Sequence, residues 1–399
     1  MIFGNYITLW EQKYNLSMRT KRNITSILLV AFVALVLAGC KDNSTTLPEE
    51  ILVHPDSIEE KFPFADMFHY EKCIPLETNE KCQISELHRV FPLDSVLVIW
   101  DRSGEKVFVF NRNGKFLNKI GDKGHGNVEY VRLRDVLVDY KKKTINLLDD
   151  FSHKILSFHQ DGTHVETIKY NKTGAFGFYC DDEKVWLESD GLNDSTSLLS
   201  VYDREKDETE KTYFPMFKDG RIPILSEKTF SVDPEGQVLF STPYINTIYK
   251  IENDRLFPKY RVNIIGNTLD DSDLTSDSYI EGLQAKNYYG NISDVYHVND
   301  YLFFLFRFLY KGSSKLTSYS VCYNTKEKVC HLFDYTLQHD KKLTFSPGCF
   351  IIGSGQNELF FTLDLSSYPT ELLPIIHRMP ELSNCTNDDN PIIVVYNVP

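Results

Sequence analysis

The feature that most limits what this chain can fold into is a short apolar strand that closes on an aromatic residue before a polar turn, met six times. It reads Val107-Phe108-Val109-Phe110, Ile155-Leu156-Ser157-Phe158, Leu199-Ser200-Val201-Tyr202, Thr247-Ile248-Tyr249, Tyr319-Ser320-Val321-Cys322-Tyr323 and Ile393-Val394-Val395-Tyr396. The closing aromatics lie 48, 44, 47, 74 and 73 residues apart. Recurrence at this period marks a repeat architecture in which each unit is one supersecondary element. In the second copy, residues 135–139, 144–148, 154–159 and 164–169 are predicted strands with turn residues between them, and 84–90, 96–100, 106–110 and 116–120 match them in the first. Four antiparallel strands in about 45 residues make a propeller blade. The chain is therefore expected to be all-β, a six-bladed β-propeller over residues 64–399. Insertions at 267–290 and 364–390 account for the two long spacings, and a short helix is predicted at 371–382, between Pro369 and Pro380.

The sixth unit has strands at 350–353, 358–362 and 391–397 and then stops one strand short, while an early strand at 71–76 has no blade of its own. Adding that strand to the outside of the last blade closes the ring through the two termini and covers an edge.

Arg19, Lys21 and Arg22 precede an unbroken apolar run from Ile27 to Leu37, and Leu37-Ala38-Gly39-Cys40 ends it in small residues and a cysteine. This order is that of a signal peptide, residues 1–39, with the working start at Met18. The run is about half the ~20 residues a spanning helix needs. Its last four residues resemble the lipobox of bacterial lipoproteins, which implies that Cys40 carries a lipid, becomes the mature N-terminus and anchors the protein to the outer membrane. Lys41-Asp42 is weakly similar to tags that route such proteins to the cell surface, and either the surface or the periplasmic face fits. Residues 40–63 are read as a polar tether.

Lys and Arg number 43 against 56 Asp and Glu, a formal charge of −13, and the one basic run, Lys141-Lys142-Lys143, falls at a hairpin turn. Counterion release needs a clustered basic stripe, so nucleic acid is not an expected partner. Besides Cys40 there are seven cysteines, an odd number. Cys322 and Cys330 flank a turn, and a three-residue loop would set them opposite one another for a disulfide, whereas a four-residue loop would put them on opposite faces. No CxxC spacing for structural zinc exists.

From about Tyr70 to Pro399 the chain resembles the six-bladed β-propeller lipoproteins of Bacteroides-type bacteria, related to NHL-repeat and TolB-like propellers. The resemblance rests on Ile120-Gly121-Asp122-Lys123-Gly124-His125-Gly126-Asn127-Val128-Glu129-Tyr130, on Arg134-Asp135-Val136-Leu137-Val138-Asp139 and on the closing Asp389-Asn390-Pro391-Ile392-Ile393-Val394-Val395-Tyr396. Asn127-Val128 stands where the family pattern has Pro-Gly. The resemblance implies fold and export, and no reaction.

Gly121, Gly124 and Gly126 do not make a phosphate loop, because the Gly-Lys-Ser/Thr ending is missing and a strand, not a helix, follows. Gly-x-Ser-x-Gly and His-Glu-x-x-His are absent. Loops between second and third strands, and between blades, gather at one mouth of a propeller channel. Arg102, His125, Glu129, Asp150, His153, Asp190, Tyr244, Lys311 and Tyr368 are placed there as ligand-binding candidates. No cofactor is expected, apart from the Ca²⁺ ion that carboxylates around Asp150 could hold with oxygens from several loops. Three functions are open to such a chain. The first is an envelope binding module for a glycan, peptide or protein; the second is a Ca²⁺-dependent hydrolase, lactonase or polysaccharide lyase; the third is a structural scaffold.

Overall fold

Five hairpins share one local code, an Asp or Asn ending a strand, four turn residues, and a left-handed backbone at the fourth. Asp101, Asp139, Asp149, Asp203 and Asn324 end the strands. Glu105, Lys143, His153, Asp207 and Lys328 take φ of 48, 54, 51, 59 and 60°. In each turn the side-chain oxygen accepts backbone N–H bonds from inside the loop, as Asp139 does from Lys141 and Lys142 at 2.9 and 3.0 Å. Asn324 does so from Lys326 and Glu327 at 3.0 and 2.9 Å. Such side chains imitate the backbone acceptor of a turn and so hold the loop length fixed.

The computed structural model describes residues 47–59, 67–171, 174–189, 197–215, 228–242, 245–266, 288–309, 316–334, 351–367 and 373–399. Six antiparallel blades follow one another, each running from the channel outwards. Blade one is Leu87–Leu93, Val96–Asp101, Lys106–Asn111 and Phe116–Ile120; blade two is Leu133–Asp139, Thr144–Asp149, Lys154–Phe158 and His164–Lys169. Blade three is Ala175–Cys180, Lys184–Ser189, Ser197–Asp203 and Glu208–Pro215; blade four is Phe230–Val232, Val238–Phe240, Thr247–Glu252 and Arg255–Ile264. Blade five is Tyr288–Val298, Tyr301–Leu309, Leu316–Asn324 and Val329–Asp334. Blade six has only Ile351–Ser354, Glu358–Leu363 and Ile392–Asn397 from its own stretch of chain. His69–Pro75 completes it, pairing antiparallel with Ile392–Asn397 from His69↔Asn397 to Pro75↔Ile392. The early strand thus closes the ring where the sequence places it.

Apolar side chains fill the seams between blades. One cluster joins blades one and two through Val98, Val109, Val136 and Leu147, and another joins six and one through Phe360, Val395, Leu97 and Phe108. Each of the other four seams has its own cluster. At the inner end of the six-to-one seam the blades meet backbone to side chain: a Cβ at Gly353 would collide with the Val90 carbonyl oxygen, so only glycine fits. In the 364–390 insertion the observed helix is Leu373–Ile376, followed by a 3-10 turn Pro380–Leu382, and Ile376 and Leu382 bury into the blade-six core. No helix of the described residues is long and apolar enough to cross a membrane.

Two expectations are corrected. Residues 40–63 do not form a tether throughout, because Glu49–Val53 pairs in parallel with Arg255–Ile264 as a fifth strand of blade four, burying Ile51 and Val53. Beyond it, the Glu59 N–H donates to the Leu332 carbonyl of blade five at 2.8 Å, and the Glu59 carboxylate takes His331 at 2.8 Å. The alternation Ile51, Val53 is the buried period of a strand, but its partner lies more than two hundred residues away. The Cys322–Cys330 bridge is the second correction. The hairpin has a four-residue loop, so Cys322 faces His331 and Cys330 faces Tyr323. The two thiols are free and pack into different seams.

Candidate functional site

The mouth loops of blades one and two are braced from within by carboxylates. Asp101 accepts N–H bonds from Ser85, Glu86 and Gly104 at 3.1, 2.9 and 3.0 Å. Asp149 accepts from Val131, Arg132, Phe151 and Ser152 at 2.9 to 3.2 Å. Both are fully buried, so each clamps its own turn to the chain entering the same blade. Asp150 is gripped by Arg132 through two bonds of 2.7 and 2.6 Å, and Glu129 accepts the Gly126 N–H at 2.8 Å. His153 is the left-handed turn residue of its hairpin, and its ring stacks on Tyr170 at 5.9 Å. Glu129, Asp150 and His153 are thus engaged within the loops. His125 is exposed, and Arg102 is half-buried with its charge acting on His88 and Arg134. Tyr244, with Asp190, Lys311 and Tyr368, lies outside the described residues, as does Cys40. Among the described residues no group of three or more His, Cys, Asp or Glu is gathered as a metal site.

What the structure does bring together is a set of charged side chains on and beside the inner strands. Arg89 of blade one donates to Asp135 of blade two at 2.8 Å, with both groups buried. Asp135 also accepts the Val136 N–H at 2.9 Å and faces the Phe178 N–H of blade three. Burial pushes the Asp135 carboxyl up, against the pull of Arg89 and these N–H groups. Lys228 of blade four is buried with its ammonium 3.2 Å from the centre of the Tyr296 ring of blade five. Burial pushes that ammonium well down and Arg89 adds to it, while Asp294 and Asp135 oppose. Asp294 sits where the blade-five inner strand loses register, with φ of 52°, a bulge of the kind that re-aims a side chain. Glu188 of blade three is also buried, and there only a glycine, Gly177, lets blade four approach: a Cβ would strike Thr229. At the mouth end, the Arg134 guanidinium carbon lies 3.5 Å from the centre of the Phe176 ring.

Sequence reasoning missed these residues as a site. Its usable signal was charge set in a mostly apolar strand, as Arg89 is between Leu87 and Leu93 and the pair Arg134 and Asp135 between Leu133 and Val138.

A family model described as a domain of unknown function, DUF4934, matches residues 51–397. The chain belongs to that family. No curated protein matches it. The DUF4934 chain is similar to a candidate exported protein from Bacteroides fragilis, with a TM-score of 0.62 and 18% identity over 88% of this chain and 99% of that one. It is also similar to a member of the DUF4221 family from Bacteroides vulgatus, with a TM-score of 0.48 and 11% identity over 83% of this chain and 97% of that one. At 18% identity the likeness to the Bacteroides fragilis protein is one of fold alone. The family match begins inside the blade-four strand Glu49–Val53, ahead of residue 64.

The DUF4934 mouth also carries a pH-sensitive element. His88 packs edge-on against Trp100 at 4.7 Å, with Arg89 and Arg102 beside it and Glu86 4.0 Å from Nδ1. Burial, with the two guanidiniums adding, pushes its pKa from 6.5 down to about 2. Above pH 6.5 the ring is neutral folded or unfolded; below it the unfolded chain takes up a proton that the folded ring refuses. Stability from this site is therefore complete above that pH and is lost at about 1.4 kcal/mol per pH unit on acidification towards about 2. Urea unfolding near pH 7 and near pH 5 should show a loss of about 2 kcal/mol that His88→Gln removes. An equal loss in the variant would contradict the buried neutral imidazole.

Proposed function

We propose that this chain is an exported binding module of the cell envelope, anchored through a lipidated Cys40, that holds a glycan, peptide or protein at the channel mouth without converting it. The observation that carries the reading is the set Arg89, Asp135, Lys228 and Asp294, contributed by four different blades, in which Arg89 and Asp135 pair, both act with Asp294 on Lys228, and all but the half-buried Asp294 are buried. Burying charge costs several kcal/mol per ion, and apolar residues would fill the same space more stably, so such a set is kept for something other than stability. Export is supported by the order of basic, apolar and small residues before Cys40, and by the exported description of the Bacteroides fragilis relative in fold. The propeller fold itself is consistent with a binding or a scaffold role. A catalytic reading draws on Lys228, whose depressed ammonium is a group with base character, although Asp150 and Glu129 are committed within their loops.

Glycan and peptide arrays probed with the mature chain test the mouth. Ligands retained by the wild type should be lost or weakened in Arg102→Ala and His125→Ala while melting is unchanged, and retention equal in all three proteins would contradict the assignment. For the anchor, Cys40→Ala should move the chain from the detergent-rich to the aqueous phase.

A further inference from the structure

Resting on the channel-mouth reading, the geometry points to an acidic glycan as the ligand, with Arg134 pairing the carboxylate of a uronic acid unit and Phe151 offering a platform to the sugar ring.

Arg134 is set apart from the other arginines of the ring. Arg89, Arg112, Arg132 and Arg204 each hold a carboxylate oxygen within 2.9 Å. Among the described residues Arg134 holds none, and it lies over the face of Phe176 across the blade-two to blade-three seam. It is half-buried, on the strand end that pairs with the Asp149 turn. Burial disfavours its charge and Arg102 and Arg132 add to that, with Asp150 and Asp135 opposing. Those two carboxylates are already engaged by Arg132 and Arg89. A guanidinium keeps its proton under all ordinary conditions, so the remedy for this arrangement is an anion from outside. Stacking fixes one face of the fork on a ring and leaves the N–H edges free in the plane, the geometry that matches a planar carboxylate through two parallel bonds.

The charge balance narrows the anion. Carboxylates are plentiful in this sector, with Asp150, Asp149 and Glu105 acting on Arg132 and Asp150 and Asp135 on Arg134, on a chain of formal charge −13. A polyphosphate or densely sulfated chain would be repelled by the rest of the surface, whereas one carboxylate per sugar unit suits one open guanidinium. The aromatic platform favours a sugar. Phe151 is 61% exposed, directly after the Arg132-bound Asp150, on a turn held by the fully buried Asp149. A large exposed ring on a rigid polar loop can cover the apolar C–H face of a pyranose.

Calorimetric titration of the mature chain with short oligogalacturonides, their carboxyl-reduced counterparts and a peptide ending in Glu tests this. Saturable binding of the uronate oligomers is expected, with none of the reduced ones. It should weaken at least about tenfold in Arg134→Gln, partly recover in Arg134→Lys, and weaken in Phe151→Ala, at unchanged melting temperature. Uronate binding that survives Arg134→Gln overturns this inference, while its loss in Arg102→Ala would leave the mouth standing. Arg134-dependent binding of the acidic peptide alone overturns the glycan assignment, and binding of none of the three overturns it outright. An Arg134→Gln protein that melts early while Arg134→Lys melts normally, both still binding, assigns Arg134 to folding and contradicts it as well.

Discussion

Deleting Tyr70 to Leu76 should collapse the whole ring rather than trim one blade. The segment pairs along Ile392–Asn397 and buries Cys73, Ile74 and Leu76, which at roughly 1.5–3 kcal/mol per buried apolar side chain amounts to about 4.5–9 kcal/mol. The net stability of a domain is only about 5–15 kcal/mol, so the loss is comparable with all of it. It also strips the edge of the strand carrying Val394, Val395 and Tyr396, which belong to the clusters joining blade six to both neighbours. Calorimetry should find no cooperative transition, or one lowered by tens of degrees. Removing residues 48–59 instead takes away Ile51 and Val53, with the Lys328 ion pair and Tyr323 hydrogen bond of Glu49 at 2.6 and 2.7 Å. That deletion should cost about two-thirds as much and leave a folded ring. A neutral result for Tyr70 to Leu76 would refute closure by this strand.

Asp135→Ala should be the most damaging single substitution in the channel. It leaves the Arg89 guanidinium buried without its carboxylate and frees the N–H groups that Asp135 accepts, a change expected to cost about 3–5 kcal/mol. Replacing both members with apolar residues, Arg89→Met with Asp135→Leu, should restore much of that, because the desolvation of two ions disappears with the pair. Denaturant midpoints of the two singles and the double close the cycle. Additive losses in the double would show that the two side chains act independently.

The blades were legible because their signals are local. Alternation, Asx turns and closing aromatics recur within one unit, and the strand starting at Thr144 and the pair at 116–120 and 164–169 fall where patterning puts them. Closure was legible for a different reason, since blade six is visibly one strand short in the sequence. Glu49–Val53 was not, because a five-residue strand between Pro48 and Pro55 gains its stability from Arg255–Ile264, a partner no local pattern names. The mouth was half legible. Loop membership marked Asp150 and Glu129, but polarity alone does not reveal that Arg132 and Gly126 already occupy them. The channel charges hid in apolar strands, where Arg134 and Asp135 look like part of a strand's edge pattern until folding sets them beside Phe176 and Arg89.

The most direct test of the central claim, that this propeller holds a ligand at its channel mouth and leaves it unchanged, is to recover the ligand. The mature chain is titrated with the oligosaccharide or peptide that binds it, held through many hours, and the ligand is then weighed by mass spectrometry. The account predicts a saturable isotherm with the ligand returned at its original mass. A shortened or unsaturated product that disappears in Lys228→Met would contradict it and make the buried lysine the centre of an enzyme.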